Sequence, residues 1–90
     1  MKVDGAYRAP QLESGQSTLV DRLTVTPSGD NLIVVRTGPG DAQRAGLHID
    51  RAKLTGVVGT VAGDDTLFVA VRGADDQTKV MRRILELFSA

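Results

Sequence analysis

Two apolar runs separated by a short acidic turn constrain the fold of this chain more than any other feature. Residues 57–62 and 67–71 are rich in aliphatic and β-branched side chains, and Gly63-Asp64-Asp65 lies between them. Apolar runs of this length joined by Gly and Asp are typical of a β-hairpin. Glycine accepts the positive φ that a tight turn requires, and aspartate is a common turn residue. The sequence therefore predicts two adjacent carboxylates at the end of a rigid hairpin.

The length of 90 residues predicts one small domain, and the absence of cysteine excludes disulfides and thiolate metal sites. The first seven residues have no apolar core of a signal peptide, and no run approaches the roughly 18 apolar residues of a membrane span. We therefore expect a soluble cytoplasmic protein. Residues 1–16 are polar and rich in turn residues, which predicts a flexible lead-in or linker remnant, and residues 17–90 are expected to form the domain.

The charge balance argues against direct nucleic-acid binding by these residues. Lys plus Arg number 11, Asp plus Glu number 11, and the chain has only three aromatic residues. Nucleic-acid-binding domains are typically basic, and single-strand binders stack bases on aromatic side chains. We expect neither a nucleic acid nor a membrane to be a partner of these residues themselves.

The remaining pattern predicts the order β-β-α-β-β-α. Residues 19–26 and 32–35 read as strands around a turn at residues 27–31, and residues 42–49 read as a weak helix. After the second hairpin, Asp75 or Asp76 would cap a helix with apolar side chains at three- and four-residue spacing. The predicted fold class is α+β, a two-layer sandwich with a four-stranded, largely antiparallel sheet and two helices on one face.

Gly46 and the apolar second strand lead to two further predictions about packing. Gly46 inside the first helix costs about 1 kcal/mol relative to alanine, which predicts a close approach of that helix to another backbone. The second strand is apolar throughout, yet two short helices cover only one face of the sheet. We therefore expect the open face to pack against another copy of the chain.

Most catalytic and metal chemistries are unsupported by the sequence. His48 is the only histidine and is interpreted as a surface or interface residue. Asp50, Asp64 and Asp65 do not have the spacing of a calcium loop, and Gly38-Pro39-Gly40 lacks the lysine of a phosphate loop. We expect no catalytic residues, no metal and no enzyme activity.

Two polar groups remain as a candidate binding site. Gln43 and Asp50 share one face of the first helix with Leu47, and Asp64 and Asp65 occupy the hairpin turn. In the predicted fold they could converge near one end of the sheet, across a subunit boundary. A guanidinium would satisfy such acids through charge-assisted hydrogen bonds, whereas the alternative is that the turn acids are merely solvated.

The run from Gly59 to Thr66 has the pattern Gly-Thr-x-x-Gly-Asp-Asp-Thr. Together with the upstream Thr-x-Pro-Gly-x-Ala-Gln pattern of residues 37–43 and Asp50, it resembles the C-terminal domain of bacterial arginine repressors over residues 17–89. In that family this domain binds L-arginine and forms trimers, and two trimers stack with arginine at their interface. The resemblance implies L-arginine contacts at four residues and, more weakly, at two threonines: Gln43, Asp50, Asp64 and Asp65, then Thr60 and Thr66.

The resemblance implies that L-arginine acts as co-repressor ligand, with no other cofactor, in a homo-oligomer that is a trimer or a dimer of trimers. Operator DNA would be bound only by an N-terminal winged helix-turn-helix domain, which is missing from these residues. Asp41 departs from the family, where a small or amide side chain is more frequent. The alternatives are an ACT-like amino-acid-binding module that regulates an enzyme, and an oligomerisation module without a ligand.

Overall fold

A computed structural model describes residues 2–3, 6–8 and 23–89. From the third strand onward the elements follow the predicted β-β-α-β-β-α order, which confirms the α+β fold. In chain order the elements are β1 (Lys2–Val3), β2 (Ala6–Arg8), β3 (Leu23–Ser28), β4 (Leu32–Thr37), α1 (Ala42–Ala52), β5 (Val57–Ala62), β6 (Thr66–Val71) and α2 (Ala74–Leu87).

The strands form one antiparallel sheet in the order β1-β2-β3-β4-β6-β5. The two predicted hairpins, β3–β4 and β5–β6, are joined by pairing of β4 with β6, so that β5 lies at an edge. The sheet therefore contains the four predicted strands and two short additional ones. Those two strands fall within residues 1–16, the predicted lead-in, and the rest of that segment lies outside the described residues.

Both helices pack on the same face of the sheet. Alternate side chains of β3, β4 and β6 point toward the helices, as the period of two in a strand requires. This layer and the apolar faces of α1 and α2 form one core. Its fully or nearly fully buried members are Leu23, Val25, Ile33, Val35, Ala42, Ala45, Ile49, Leu67, Val69, Val71, Val80, Met81, Ile84 and Phe88.

The opposite face of the sheet is not covered by the helices. Val34 of β4, Phe68 of β6 and Val61 of β5 lie directly opposite one another in the register. Phe68 is 47% exposed and Val61 is 73% exposed. An apolar row thus crosses the sheet on its open face, as expected from the sequence of the second strand.

Several predicted boundaries were wrong. The β3–β4 turn is confined to residues 29–31, where Gly29 has a φ of 64°. Helix α1 continues to Ala52 and ends at Lys53 in the left-handed conformation. Gly73 precedes α2, so Asp75 and Asp76 lie in its first turn instead of capping it. Acids in a first turn still stabilise the helix dipole, which explains why they mark this boundary.

Gln77 joins the two layers in a way that the sequence pattern did not predict. Its side chain is 7% exposed, and its Nε2 donates to the carbonyl oxygens of Gly29 and Leu32, each at 2.9 Å. These bonds attach α2 to the β3–β4 turn and satisfy both amide hydrogens.

Neither described helix combines the length and the apolar character needed to cross a membrane.

Candidate functional site

The acidic turn of the second hairpin is fixed to the beginning of α1. The Gly63 amide donates to the Thr66 carbonyl at 2.8 Å and closes the turn. The Asp64 carbonyl accepts from the Ala42 amide at 3.1 Å, and the Asp65 carbonyl accepts from the Thr37 amide at 2.8 Å. The predicted positive φ at Gly63 is wrong, because only Gly29, Gly40 and Gly56 adopt it among the described glycines.

This attachment has an electrostatic basis. The first amides of a helix have no partner within the helix, and its N-terminus carries a partial positive charge. The Asp64 carbonyl satisfies the first amide of α1, and the turn brings two carboxylates to the same helix end. The turn acids are therefore held in place by the fold before any ligand is considered.

The two turn carboxylates differ in their surroundings. Asp65 accepts a hydrogen bond from Thr66 Oγ1 at 3.0 Å, and its Oδ2 lies 3.6 Å from Nη2 of Arg36. Both side chains of this ion pair are largely exposed, so it contributes little to stability. The Asp64 side chain is exposed and forms no hydrogen bond or ion pair with the side chains of residues 23–89. Asp65 is therefore oriented, and Asp64 is open to a ligand.

Asp50 is positioned by the contact between α1 and β5. Thr60 Oγ1 donates to Asp50 Oδ1 at 2.9 Å. Helix α1 does lie close to the sheet at Gly46, but against side chains instead of the predicted backbone: a Cβ at this position would lie 3.2 Å from Leu67 Cδ1 and 3.6 Å from Ala62 Cβ. Absence of a side chain at Gly46 lets α1 lie low on the sheet, which brings Asp50 within reach of Thr60.

Gln43, Leu47 and Asp50 are all exposed on the outward face of α1, as their spacing predicted. Gln43 follows the residue that binds the turn, so it lies at the same helix end as Asp64. A rise of 1.5 Å per residue places Asp50 about 10 Å farther along α1. The structure thus pairs Asp50 with Thr60 and Asp65 with Thr66, and it keeps Asp50 apart from the turn acids.

We call this surface the acidic edge, defined by Gln43, Asp50, Thr60, Asp64, Asp65 and Thr66. Within one chain it is an open surface along α1 and the edge strand β5, because Gln43, Asp50 and Asp64 are all exposed. It presents two groups of carboxylates on rigid supports. Such an arrangement can bind a ligand with separated cationic groups.

Other predicted candidates have ordinary structural surroundings. His48 is half-buried, with its ring centroid 5.4 Å from that of Phe88. Asp41 accepts from Arg44 Nη2 at 3.1 Å, so its charge is paired. Among the described residues, no group of three or more His, Asp or Glu side chains has the arrangement of a metal site.

Arg36 is a residue of this surface that the sequence analysis missed. It lies opposite Thr66 in the β4–β6 register, which brings its guanidinium to Asp65. These residues are far apart in the chain and meet only because β4 pairs with β6. No pattern in the sequence predicts that Arg36 contacts Asp65, because the contact depends on the pairing of β4 with β6.

Comparison with known proteins gives a consistent assignment. Residues 19–86 match the family model described as "Arginine repressor, C-terminal domain". The chain is 33% identical to the arginine repressor of Caldicellulosiruptor bescii over 94% of its own length and 61% of that protein. It is 37% identical to the arginine repressor of Alkaliphilus metalliredigens over 92% of its length and 61% of the relative.

A third relative, the arginine repressor of an Anaeromyxobacter species, is 41% identical over 84% of this chain and 48% of its own length. The chain therefore spans at most about three fifths of these relatives. All three are named as repressors rather than enzymes, in agreement with the expectation of no enzyme activity. From the match over residues 19–86, the chain belongs to the family of arginine repressor C-terminal domains.

Proposed function

We propose that this domain senses L-arginine for a transcriptional repressor of arginine metabolism. L-arginine would bind as co-repressor at the acidic edge, between the two trimers of a hexamer. The observation that carries the proposal is the pair of exposed acids at opposite ends of α1: Asp50, whose carboxylate accepts from Thr60, and Asp64, whose backbone carbonyl is bonded to Ala42.

The chemistry of the edge fits this ligand. L-arginine carries an ammonium and a guanidinium at separate ends, and carboxylates form their strongest hydrogen bonds with such cations. Asp65 is already oriented by Thr66, so less rotational freedom is lost when it binds. The exposed Gln43 amide offers both a donor and an acceptor to the remaining polar groups of an amino acid.

A second copy of the chain is needed to complete the site. Ligand sites are usually concave and bury most of the ligand, whereas Gln43, Asp50 and Asp64 of the acidic edge are exposed in one chain. Two facing edges would enclose a ligand, and Leu47, which is 49% exposed between Gln43 and Asp50, would supply apolar contact there. The open sheet face with Val61 and Phe68 is a separate apolar surface for contacts within a trimer.

Regulation would follow from linkage. Without ligand, facing carboxylates repel one another and weaken the contact between trimers. With ligand, the hexamer gains about RT ln(1 + [L]/Kd) per site. In a protein that also carries an N-terminal winged helix-turn-helix domain, the hexamer would present several DNA-binding domains together, which raises operator affinity through effective concentration.

Calorimetric titration with L-arginine tests the assignment. Asp64→Asn and Asp65→Asn keep the side-chain shape and remove one charge each, so each should weaken binding by about thirtyfold or more. Asp30→Asn, in the exposed β3–β4 turn, is the matched control and should keep wild-type affinity. Wild-type affinity in both turn variants would refute the site.

A further inference from the structure

A second charged feature lies outside the acidic edge. A cavity of about 430 Å³ is formed between the end of α1 and the side of α2. We call it the basic pocket, because four of its lining side chains are cationic and only one is a carboxylate. The residues that matter to its chemistry are Lys53, Thr55, Asp76, Lys79, Arg82 and Arg83.

The cations of the basic pocket are poorly compensated. Lys79 lies three and four positions before Arg82 and Arg83 on α2, spacings at which like charges destabilise a helix. Within residues 23–89, Lys53, Lys79 and Arg82 form no ion pair. Arg83 has only a 3.8 Å contact with Glu86, and both side chains are more than 60% exposed. Four exposed cations with little ion pairing therefore line one cavity.

The backbone at Lys53 is a second, independent observation. With φ 54° and ψ 50°, Lys53 is in the left-handed conformation that glycine normally provides at a helix end. It is the one non-glycine residue with positive φ in the described part of the chain. A cation does stabilise the end of a helix, yet a lysine in the last helical turn would do so without backbone strain.

The single carboxylate does not neutralise the pocket. A Cβ at Gly56 would lie 3.0 Å from Cβ and Cγ of Asp76, so the Asp76 side chain packs against the backbone of Gly56. Asp76 is half-buried there and makes no ion pair with Lys79 or the arginines. The residues that line the cavity therefore carry an excess of positive charge, and Thr55 adds a neutral hydroxyl among them.

We propose that the basic pocket binds a compact anion that carries two or more phosphate groups. The cavity volume lies within the range of about 300–1,000 Å³ found for small-molecule sites. Arginine guanidinium groups match phosphate oxygens in pairs, and lysines contribute point charges. A concave site between two helices suits a small polyanion better than a rigid duplex. This site is independent of the L-arginine site proposed above.

Calorimetric titration of the full chain with tripolyphosphate at about 150 mM KCl tests the proposal. We expect saturable binding of one anion per chain, weakened about tenfold by Arg82→Gln. Arg44→Gln removes the same charge near the beginning of α1, about 13 Å along the helix from Lys53, and should change the affinity less than twofold because salt screens charges at that distance. Equal weakening by both variants, or no binding by the wild type, would overturn the proposal.

Lys53→Gly separates binding from stability. Glycine relieves the left-handed strain, so Tm should rise while tripolyphosphate affinity falls about tenfold. A rise in Tm with unchanged affinity would contradict a binding role for Lys53. Arg82→Gln should keep wild-type affinity for L-arginine, which distinguishes failure of this site from failure of the acidic edge. Binding of a short DNA duplex without binding of tripolyphosphate would also overturn the proposal.

Discussion

The turn acids of the acidic edge and the cations of the basic pocket lie at different ends of α1 and are held in different ways, while Asp50 of the edge lies three residues before Lys53. The turn with Asp64 is bonded to Ala42 at the beginning of the helix, and Lys53 follows its last residue. An 11-residue helix is about 16 Å long, which sets the scale of their separation.

The difference lies in how firmly each set of charges is held. Asp50 and Asp65 are short side chains that accept hydrogen bonds from Thr60 and Thr66. The cations of the basic pocket are long side chains and, within residues 23–89, only Arg83 has an ion-pair partner. Preorganised groups lose less entropy on binding and discriminate by geometry. The edge should therefore select one ligand, whereas the pocket should accept several anions of one class.

The largest expected effect is a double dissociation between the two surfaces. Asp64→Asn combined with Asp65→Asn should weaken L-arginine binding by about a hundredfold or more, because two charge-assisted contacts are lost. Tripolyphosphate affinity should change less than about twofold, since salt screens charges across the length of α1. Calorimetric titration of both ligands provides the comparison. Parallel loss of both activities would mean that the surfaces are one coupled site.

The packing of α1 on the sheet, which positions the acidic edge, can be disrupted by a larger side chain at Gly46. Gly46→Leu places a side chain where a Cβ already meets Leu67 at 3.2 Å, so α1 must move away from β5. Such overpacking should lower the free energy of unfolding by about 1–3 kcal/mol and weaken L-arginine binding. Denaturant unfolding and titration measure the two effects. Gly59→Leu, where a Cβ would meet nothing within 4 Å, is the control, and an equal loss there would contradict the explanation.

A smaller effect isolates the orientation of Asp50. Thr60→Val removes the hydroxyl that donates to Asp50 and keeps the shape of the side chain. Loss of a hydrogen bond worth about 1 kcal/mol should reduce L-arginine affinity about fivefold in a calorimetric titration. Thr78→Val on α2 is the matched control, because Thr78 lies outside the acidic edge. If the two variants bind equally well, the Thr60 contact has no role in recognition.

The smallest expected effect concerns the backbone strain at Lys53 in the basic pocket. Lys53→Gly should raise the free energy of unfolding by about 1 kcal/mol, since glycine adopts the left-handed conformation without steric cost. Lys53→Ala removes the same charge and retains the strain. Equal stabilisation of both variants in urea unfolding would assign the effect to charge repulsion instead of the backbone.

What could be predicted from the sequence was local in the chain. The hairpin around Asp64 and Asp65, the shared helix face of Gln43 and Asp50, and the close packing at Gly46 all depend on short spacings. Turn chemistry and periodicity act over these distances, so the patterns were sufficient. The family resemblance then implied which of these residues would contact a ligand, because turn acids that are merely solvated have the same local pattern.

The features that escaped prediction arise where distant segments meet. Arg36 reaches Asp65 only through the β4–β6 pairing, and Gln77 satisfies carbonyls 45 and 48 positions away in the sequence. The basic pocket likewise combines Lys53 after α1 with the outer side of α2. Charges on that side of α2 look like an ordinary solvated helix face until the end of α1 is placed beside them.

The most direct test of the central claim is sedimentation velocity of the wild-type chain with L-arginine or with L-citrulline. L-citrulline is a close structural match that lacks the guanidinium charge. We expect that L-arginine shifts the chain toward a hexamer and that L-citrulline does not, because only L-arginine brings the guanidinium charge that helps to neutralise facing acidic edges. An unchanged size distribution in saturating L-arginine would contradict the claim that the ligand joins copies of this domain.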